Sequence, residues 1–338
     1  MAGVSSLSRK ILRELCMNSR VTVTELSKNL GVSRPIITKH IQSLEREFGL
    51  KYTIDLNYRE LGLGGMTVYY ISFAKKPPEP VIELWLKKSN MIQLALKTRG
   101  DFDLVIFVLA SNDEEFAKWN LNIGLDFSDY GISVNKSDMD IIHHGFVPFS
   151  EKIIETTKVD DIYKRLLIEL NNNSRANVRE LAKKLKVHEE MLRYYLSKLV
   201  KMNVIRRFTT IITKLEHCTN VMFFVKYTYR PGAIERIHEK RKIYFKKESE
   251  IPLYNEWQMV SSISGSGDEF EWAIAENQKQ AIDERVKIHE RLFKQDSPVV
   301  KLGIVENTLK GVLAIRNVNI KEVYRKTEWL PGQNYTGD

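Results

Sequence analysis

The chain contains two copies of one segment, and this repeat constrains its fold more than any other feature. Residues 18–32 (NSRVTVTELSKNLGV) and 173–187 (NSRANVRELAKKLKV) align without a gap at an offset of 155, with nine identities in fifteen positions. A repeat of such a long period indicates duplicated domains rather than the short units of a solenoid. With 338 residues, the chain is long enough to form several domains, each with its own core.

Each copy of the repeat has the pattern of a helix-turn-helix. Apolar residues recur at helical spacing over three successive segments, residues 7–17, 23–29 and 34–45. Thr22 or Thr24 can cap the second helix, and Gly31 suits the left-handed turn that ends it. Ser33 can cap the third helix, with Pro35 in its first turn. In the second copy, Asn177 and His188 occupy the corresponding cap positions, and Lys186 replaces the glycine.

The third helix is the element that enters a DNA groove in a helix-turn-helix. Its apolar residues are expected to face the core: Ile36, Ile37, Ile41 and Leu44, and in the second copy Met191, Leu192, Tyr195 and Leu199. Side chains able to contact bases or phosphates then point outward: Ser33, Arg34, Thr38, Lys39 and Gln42, and in the second copy His188, Arg193, Tyr194 and Lys198. Glu189 and Glu190 would repel phosphate, so the third helix of the second copy is expected to read bases poorly.

Basic charge is concentrated in the two repeats. The whole chain carries a net charge of +9, residues 20–52 carry +3 and residues 175–207 carry +7. A positive surface of this kind binds phosphates in a strongly salt-dependent way. Cys16 and Cys218 lie far apart and have no CxxC partner. Because the sequence also has no signal peptide and no apolar stretch long enough for a membrane span, we expect a cytoplasmic protein in a reducing compartment.

After each helix-turn-helix the pattern changes to strands and helices in the order β, α, β, β, α, β. The first set covers 66–74, helix 77–89, two strands around Gly100, a helix after residue 112 and a strand within 131–144. The second set repeats this order, with a helix predicted over 231–242 and an insertion over 243–256. This order is that of a ferredoxin-like domain.

The chain resembles the Lrp/AsnC (feast/famine) family of transcriptional regulators. The resemblance rests on the helix-turn-helix over 7–45, the strand at 51–56 and a βαββαβ domain whose turn, GDFDLVIFV at 100–108, is similar to a family signature. It implies an α+β fold in which two winged helix-turn-helix domains alternate with two ferredoxin-like βαββαβ (RAM-type) domains. The expected boundaries are 1–60, 61–150, 151–212 and 213–318, followed by a C-terminal tail at 319–338.

The resemblance also implies a function. A member of this family binds double-stranded DNA, pairs with other subunits through its βαββαβ domain, and often binds a small effector such as an amino acid. The fused chain would then act as a pseudo-dimer and form homo-oligomers through the same domains. By position in the signature, the effector candidates are Gly100, Asp101 and Asp103, and Gly267 and Asp268 in the second copy. A plain alternative is that the glycines only form hairpin turns.

Other classes of protein are less well supported by the sequence. It has no GxGxxG, P-loop, HExxH or GxSxG motif, so we expect no enzyme, cofactor or metal site. His143–His144 and His217–Cys218 lack further ligands in a metal-binding spacing. Two alternatives stay open: an architectural DNA-binding protein without base readout, and an enzyme like the siroheme decarboxylases, which resemble the same fold.

Overall fold

The computed structural model describes residues 5–110, 112–139, 149–214, 219–226, 257–258, 269–275, 277–293 and 299–313. The first copy comprises α1 (Ser6–Met17), α2 (Val23–Leu30), α3 (Arg34–Phe48), β1 (Leu50–Leu56), β2 (Met66–Phe73), α4 (Glu79–Lys88), β3 (Ile92–Gly100), β4 (Leu104–Leu109), α5 (Asp113–Asp126) and β5 (Ile132–Met139). The second copy comprises α6 (Glu151–Glu155), α7 (Asp161–Asn172), α8 (Val178–Leu185), α9 (Glu189–Lys201), β6 (Ile205–Ile212), β7 (Thr219–Lys226), β8 (Trp257–Gln258), β9 (Glu269–Ala275), α10 (Gln278–Phe293) and β10 (Val299–Lys310).

The helix-turn-helix order is confirmed in both copies. Thr22, rather than Thr24, caps α2, in a full capping box in which Glu25 binds back to the cap backbone. Gly31 ends α2 in the left-handed region at φ 65°. Lys186 takes the same conformation at φ 57° after α8, although a side chain there is strained. The turn is therefore set by the backbone path that the three packed helices require, with or without glycine.

The two βαββαβ units form one sheet. The order of strands is β5-β2-β4-β3-β10-β7-β9-β8, so each unit contributes four neighbouring strands in the ferredoxin-like order. The twelve-residue strand β10 joins the units, since its first half pairs with β7 and its second half with β3. The helix predicted over 231–242 and the insertion over 243–256 lie outside the described residues.

Both faces of the first unit's sheet are buried along its inner strands β2 and β4, whereas the outer strand β5 has exposed side chains such as Val134. One face packs under α4 and α5 through an aromatic cluster that includes Tyr69, Trp119 and Phe127. The other face joins a larger core that also contains the helix-turn-helix residues and α6. α6 follows the first unit and carries the buried side chains Ile153 and Ile154. Helix α6 therefore packs into the core on this face of the sheet, ahead of the second helix-turn-helix.

Two further sequence expectations concern membrane-spanning helices and the cysteines. Among the helices that the structure describes, none is long and apolar enough to cross a membrane. Cys16 is fully buried, and its Sγ lies 3.1 Å from Thr210 Oγ1. Cys218 and His217 lie outside the described residues, as do His143, His144 and the tail at 319–338.

Candidate nucleic-acid interface

Helix α3 lies across α1 and α2 with one apolar edge buried. Ile37, Ile41 and Leu44 form this edge, at 0%, 7% and 1% exposure. His40 is half-buried and its Nδ1 lies 2.8 Å from Ser8 Oγ of α1, which fixes the rotation of α3 about its axis. Gly49 ends the helix in the left-handed region and leads directly into β1. The opposite side of α3 is therefore held in a defined orientation toward solvent.

The outward side of α3 carries the residues that the sequence predicted for it. The exposed side chains are Ser33, Arg34, Thr38, Lys39 and Gln42. Ser33 occupies the N-cap position, but its side chain makes no capping hydrogen bond. The first turn of α3 contains no acidic residue, so the positive end of the helix dipole is not offset there. This surface has donors for base edges and phosphates and no carboxylate in its first turn.

One residue assigned to the core of α3 lies outside it. Ile36 is 45% exposed, so the expectation that it faces inward was wrong. The same correction applies to Met191 of α9, which is 46% exposed. In each helix the next residue, Ile37 or Leu192, fills the core instead. Helical periodicity predicts which side of a helix is apolar, but a residue at the edge of that side can be either buried or exposed.

The outward side of α9 differs from that of α3. Arg193 Nη2 binds Glu189 Oε1 of its own helix at 2.6 Å, and Glu190 adds a second acid to the first turn. Tyr194 is 57% exposed, and His188 is exposed at the N-cap. Lys198 is half-buried, with its Nζ 5.5 Å from the centre of the Tyr163 ring of α7. Hydrogen bonding to Tyr163 raises the pKa of Lys198.

The positive charge of the second copy lies mainly beside α9 rather than on it. Arg179 and Lys183 of α8 and Lys186 of the turn are exposed. None of these three residues was predicted to contact DNA, although the net charge of +7 over 175–207 was the signal that could have found them. The second copy therefore has a basic flank around a recognition helix whose own first turn is acidic.

The two helix-turn-helix units contact each other through equivalent residues. Ser19 and Ser174, which are related by the repeat offset, are both fully buried, and their Oγ atoms lie 2.6 Å apart. Arg20 Nε donates to the carbonyl of Ser174 at 2.7 Å, and Arg175 Nη2 donates to the carbonyl of Val21 at 3.0 Å. Each arginine therefore donates to a carbonyl of the other copy, and the serine pair lies near the pseudo-two-fold axis that relates the two units.

The aromatic partners of the two arginines follow the same symmetry. The Arg20 guanidinium lies 4.5 Å from the centre of the Phe208 ring, and that of Arg175 lies 4.9 Å from the Tyr52 ring. A cation–π contact of this kind contributes about 0.5–1 kcal/mol at a partly exposed site. The NSR sequence at the start of each repeat thus serves the contact between the copies.

Strands β1 and β6 complete this contact. They pair with each other, antiparallel, with Thr53 opposite Thr209. Thr53 Oγ1 donates to Asn171 Oδ1 at 2.9 Å, and Thr209 Oγ1 donates to the carbonyl of Cys16 at 2.7 Å. The strand that follows each helix-turn-helix is therefore paired with the strand of the other copy. This pairing fixes the relative position of α3 and α9.

The stability of the protein at high pH is expected to depend on Tyr52, which lies in the contact between the two helix-turn-helix units. Tyr52 Oη donates to Glu45 Oε1 at 2.6 Å, and burial, followed by this hydrogen bond, raises the pKa of Tyr52 to about 12. Folding raises the pKa of Tyr52. The contribution of Tyr52 to the free energy of unfolding is therefore fully present below the unfolded pKa of about 10, and it is lost as pH rises through the folded pKa. Thermal melts between pH 9 and 12 should therefore show a steeper loss of stability in the wild type than in Tyr52→Phe; parallel curves would contradict this assignment.

The turn predicted to bind an effector is held by contacts within the chain. Asp101 Oδ2 accepts the Leu302 N–H of β10 at 2.8 Å, and the Asp101 N–H donates to the Leu302 carbonyl at 2.8 Å. Asp103 Oδ2 accepts the Phe73 N–H at 3.0 Å, and its Oδ1 lies 2.8 Å from Lys76 Nζ. Both carboxylates thus stabilise the sheet, which accounts for the signature without an effector.

Gly100 of this turn has both a conformational and a packing role. Its φ is 126°, and a Cβ there would lie 2.5 Å from the Leu302 carbonyl oxygen. The second-copy candidates, Gly267 and Asp268, lie outside the described residues. The effector-binding role of all five residues remains a prediction. Among the described residues, the structure contains no group of three or more His, Cys, Asp or Glu side chains that could hold a metal ion.

Comparison with known proteins identifies the repeated unit. A family model described as winged helix-turn-helix DNA-binding matches the chain twice, over residues 5–47 and 159–206. The HTH-type transcriptional regulator PH1916 of Pyrococcus horikoshii is 31% identical over 121 residues, which cover 34% of this chain and 79% of that protein. The HTH-type transcriptional regulator LrpA of the same organism is 27% identical over 110 residues, which cover 32% of this chain and 76% of that protein.

A solved structure with the same fold spans nearly the whole chain. The siroheme decarboxylase NirDL matches 94% of this chain and 98% of its own with a TM-score of 0.57, at 14% sequence identity. At this identity the likeness concerns the fold alone, and it supports the α+β arrangement with helix-turn-helix and ferredoxin-like domains. The regulators, in contrast, match in sequence over most of their own length. The chain belongs to the Lrp/AsnC family of HTH-type transcriptional regulators, with two copies of the family unit fused in tandem.

Proposed function

We propose that this chain is a sequence-specific DNA-binding transcriptional regulator that acts as a pseudo-dimer. The observation that carries the proposal is the pair of recognition helices, α3 and α9, fixed relative to each other by the Ser19–Ser174 contact and the β1–β6 ladder. A two-fold pair of such helices suits two half-sites about one turn of DNA apart. The four domain boundaries expected from the sequence are retained in this proposal.

The two heads have different roles in this proposal. α3 reads base edges through Arg34, Thr38, Lys39 and Gln42, all of which are exposed. The second head contacts mainly the phosphate backbone through Arg179, Lys183 and Lys186, because Glu189 engages Arg193 and adds negative charge to α9. His188, Tyr194 and Lys198 contribute at the edge of this contact. The preferred site is therefore not a palindrome.

An in vitro selection from random duplex DNA tests this function. We expect a recovered site that binds at least about a thousandfold more tightly than random duplex at physiological salt. Affinity for both should fall steeply across a salt series, since phosphate contacts release counterions. Tight, salt-dependent binding with no recovered site would instead indicate an architectural protein, and no binding to DNA would contradict the proposal.

The remaining features of the proposal follow from the family. A small effector such as an amino acid acts at the βαββαβ domains, further copies of the chain associate through the same domains, and the protein acts on DNA in the cytoplasm. The exposed apolar side chains Leu84, Leu121 and Leu125 on α4 and α5 are consistent with association there. Measurement of the molecular mass in solution, with and without a panel of amino acids, tests both the association of copies and its response to an effector.

The decarboxylase alternative has a separate test. We propose no enzymatic activity, because the likeness to NirDL is one of fold and the sequence similarity is to regulators. The full chain, purified without added tetrapyrrole and then titrated with an iron porphyrin, is expected to show no tetrapyrrole absorption band and no saturable change in that of the titrant. A tetrapyrrole that copurifies in stoichiometric amount would overturn this assignment.

A further inference from the structure

Two exposed apolar side chains occupy the same position on the two recognition helices. Ile36 is the third residue of α3 and Met191 is the third residue of α9, separated by the repeat offset of 155. Their exposed fractions are 45% and 46%. Single apolar residues on a surface are common and need no explanation by themselves. These two differ because they recur at one position of the elements that are placed to contact DNA.

The surroundings of the two residues differ, whereas their apolar character does not. Arg34 and Lys39 beside Ile36 are replaced by Glu189 and Tyr194 beside Met191. Core packing does not account for the pair, since Ile37 and Leu192, the following residues, supply the buried contacts at 0% exposure. The apolar character therefore belongs to the outward surface of each helix.

The position suits a contact in the major groove. In a helix-turn-helix, the N-terminal residues of the recognition helix reach the base edges. Ile36 and Lys39 are three residues apart and therefore neighbours on one face of α3. The only apolar group that a base presents in the major groove is the C5-methyl of thymine. An exposed isoleucine or methionine there can bury apolar surface against this group, and such a contact distinguishes thymine from the other bases.

We propose that Ile36 and Met191 each read a thymine by packing against its C5-methyl group. This inference rests on the proposed function, since it requires α3 and α9 to lie in the major groove. It predicts that the two half-sites, although otherwise unlike, share a thymine at the position facing the third residue of the helix. It also assigns a base-reading role to the second head, whose charged residues contribute mainly backbone contacts.

A double-mutant cycle between protein and DNA tests the proposal. Wild type and Ile36→Ala are measured on the selected site and on duplexes in which one thymine at a time is replaced by deoxyuridine, which lacks only the methyl group. At one thymine, the replacement should weaken wild-type binding about three- to fivefold, as expected for one buried methyl group. The same replacement should have no effect on Ile36→Ala. Met191→Ala should behave in the same way at one thymine of the other half-site.

The control is Val286→Ala, because Val286 is 48% exposed on α10 and lies outside both helix-turn-helix units. It should show the full wild-type response to every replacement. Thermal melts of all three variants verify that the substitutions leave folding intact. If every thymine replacement affects wild type and Ile36→Ala equally, the inference is overturned while the regulator stands. If wild type has no preferred site, the proposed function itself fails.

Discussion

Arg34→Ala is expected to weaken binding to the selected site by about 10- to 100-fold, the range for loss of one bidentate contact to a base. Binding to random duplex should weaken only a few-fold, since there the side chain contributes one positive charge. Arg34 has this effect because it is exposed in the first turn of α3, where no acidic residue opposes it. Affinities for both duplexes, measured at one salt concentration, give the comparison.

The matched control is Glu189→Ala, the same position in the second copy. Its removal releases Arg193 from a 2.6 Å ion pair and takes a negative charge away from the DNA surface. We therefore expect Glu189→Ala to strengthen binding to both duplexes by a few-fold. Equal losses on selected and random duplex for Arg34→Ala would show that Arg34 contributes charge and no base readout.

Gly100→Ala should lower the free energy of unfolding by about 3 kcal/mol. A positive φ costs a non-glycine residue about 1–3 kcal/mol, and the added Cβ would lie 2.5 Å from a backbone oxygen of β10. Because β10 joins the two βαββαβ units, the chain can relieve this overlap only by moving the strand that connects them. Urea unfolding followed by circular dichroism measures the change.

Gly62→Ala separates the two causes of this loss. Gly62 also has a positive φ, 73°, but no atom lies within 4 Å of the position of its Cβ. Gly62→Ala should therefore lower the free energy of unfolding by about 1 kcal/mol, from backbone conformation alone. A Gly100→Ala protein as stable as Gly62→Ala would mean that the 100–103 turn is not held against β10. The turn would then be free to serve an effector instead.

The elements of the fold could be predicted from the sequence because each carries a local signal. Thr22 with Glu25 forms a capping box, Gly31 supplies the left-handed turn, and the alternation of strand and helix patterns predicts βαββαβ. Such signals depend on the near neighbours of a residue, which the sequence displays. Element order and type were accordingly predicted well over the part of the chain that the structure describes.

Contacts between the copies could not be predicted in the same way. The identity of Ser19 with Ser174 is visible in the repeat, but a hydroxyl pair buried between the copies depends on how two domains meet. The pairing of β1 with β6 rather than with a strand of its own copy is a tertiary choice as well. Ile36 and Met191 were misplaced for a related reason, since periodicity identifies an apolar residue without showing whether anything covers it.

The central claim is that one fused chain reads DNA with two unlike heads, and scrambling each half of the selected site tests it most directly. Affinity is measured for the intact site and for sites in which one half or the other is replaced by random sequence. We expect the half read by α3 to account for most of the specificity, with a smaller loss from the half beneath α9. A site that is palindromic, with equal losses from its two halves, would contradict the account.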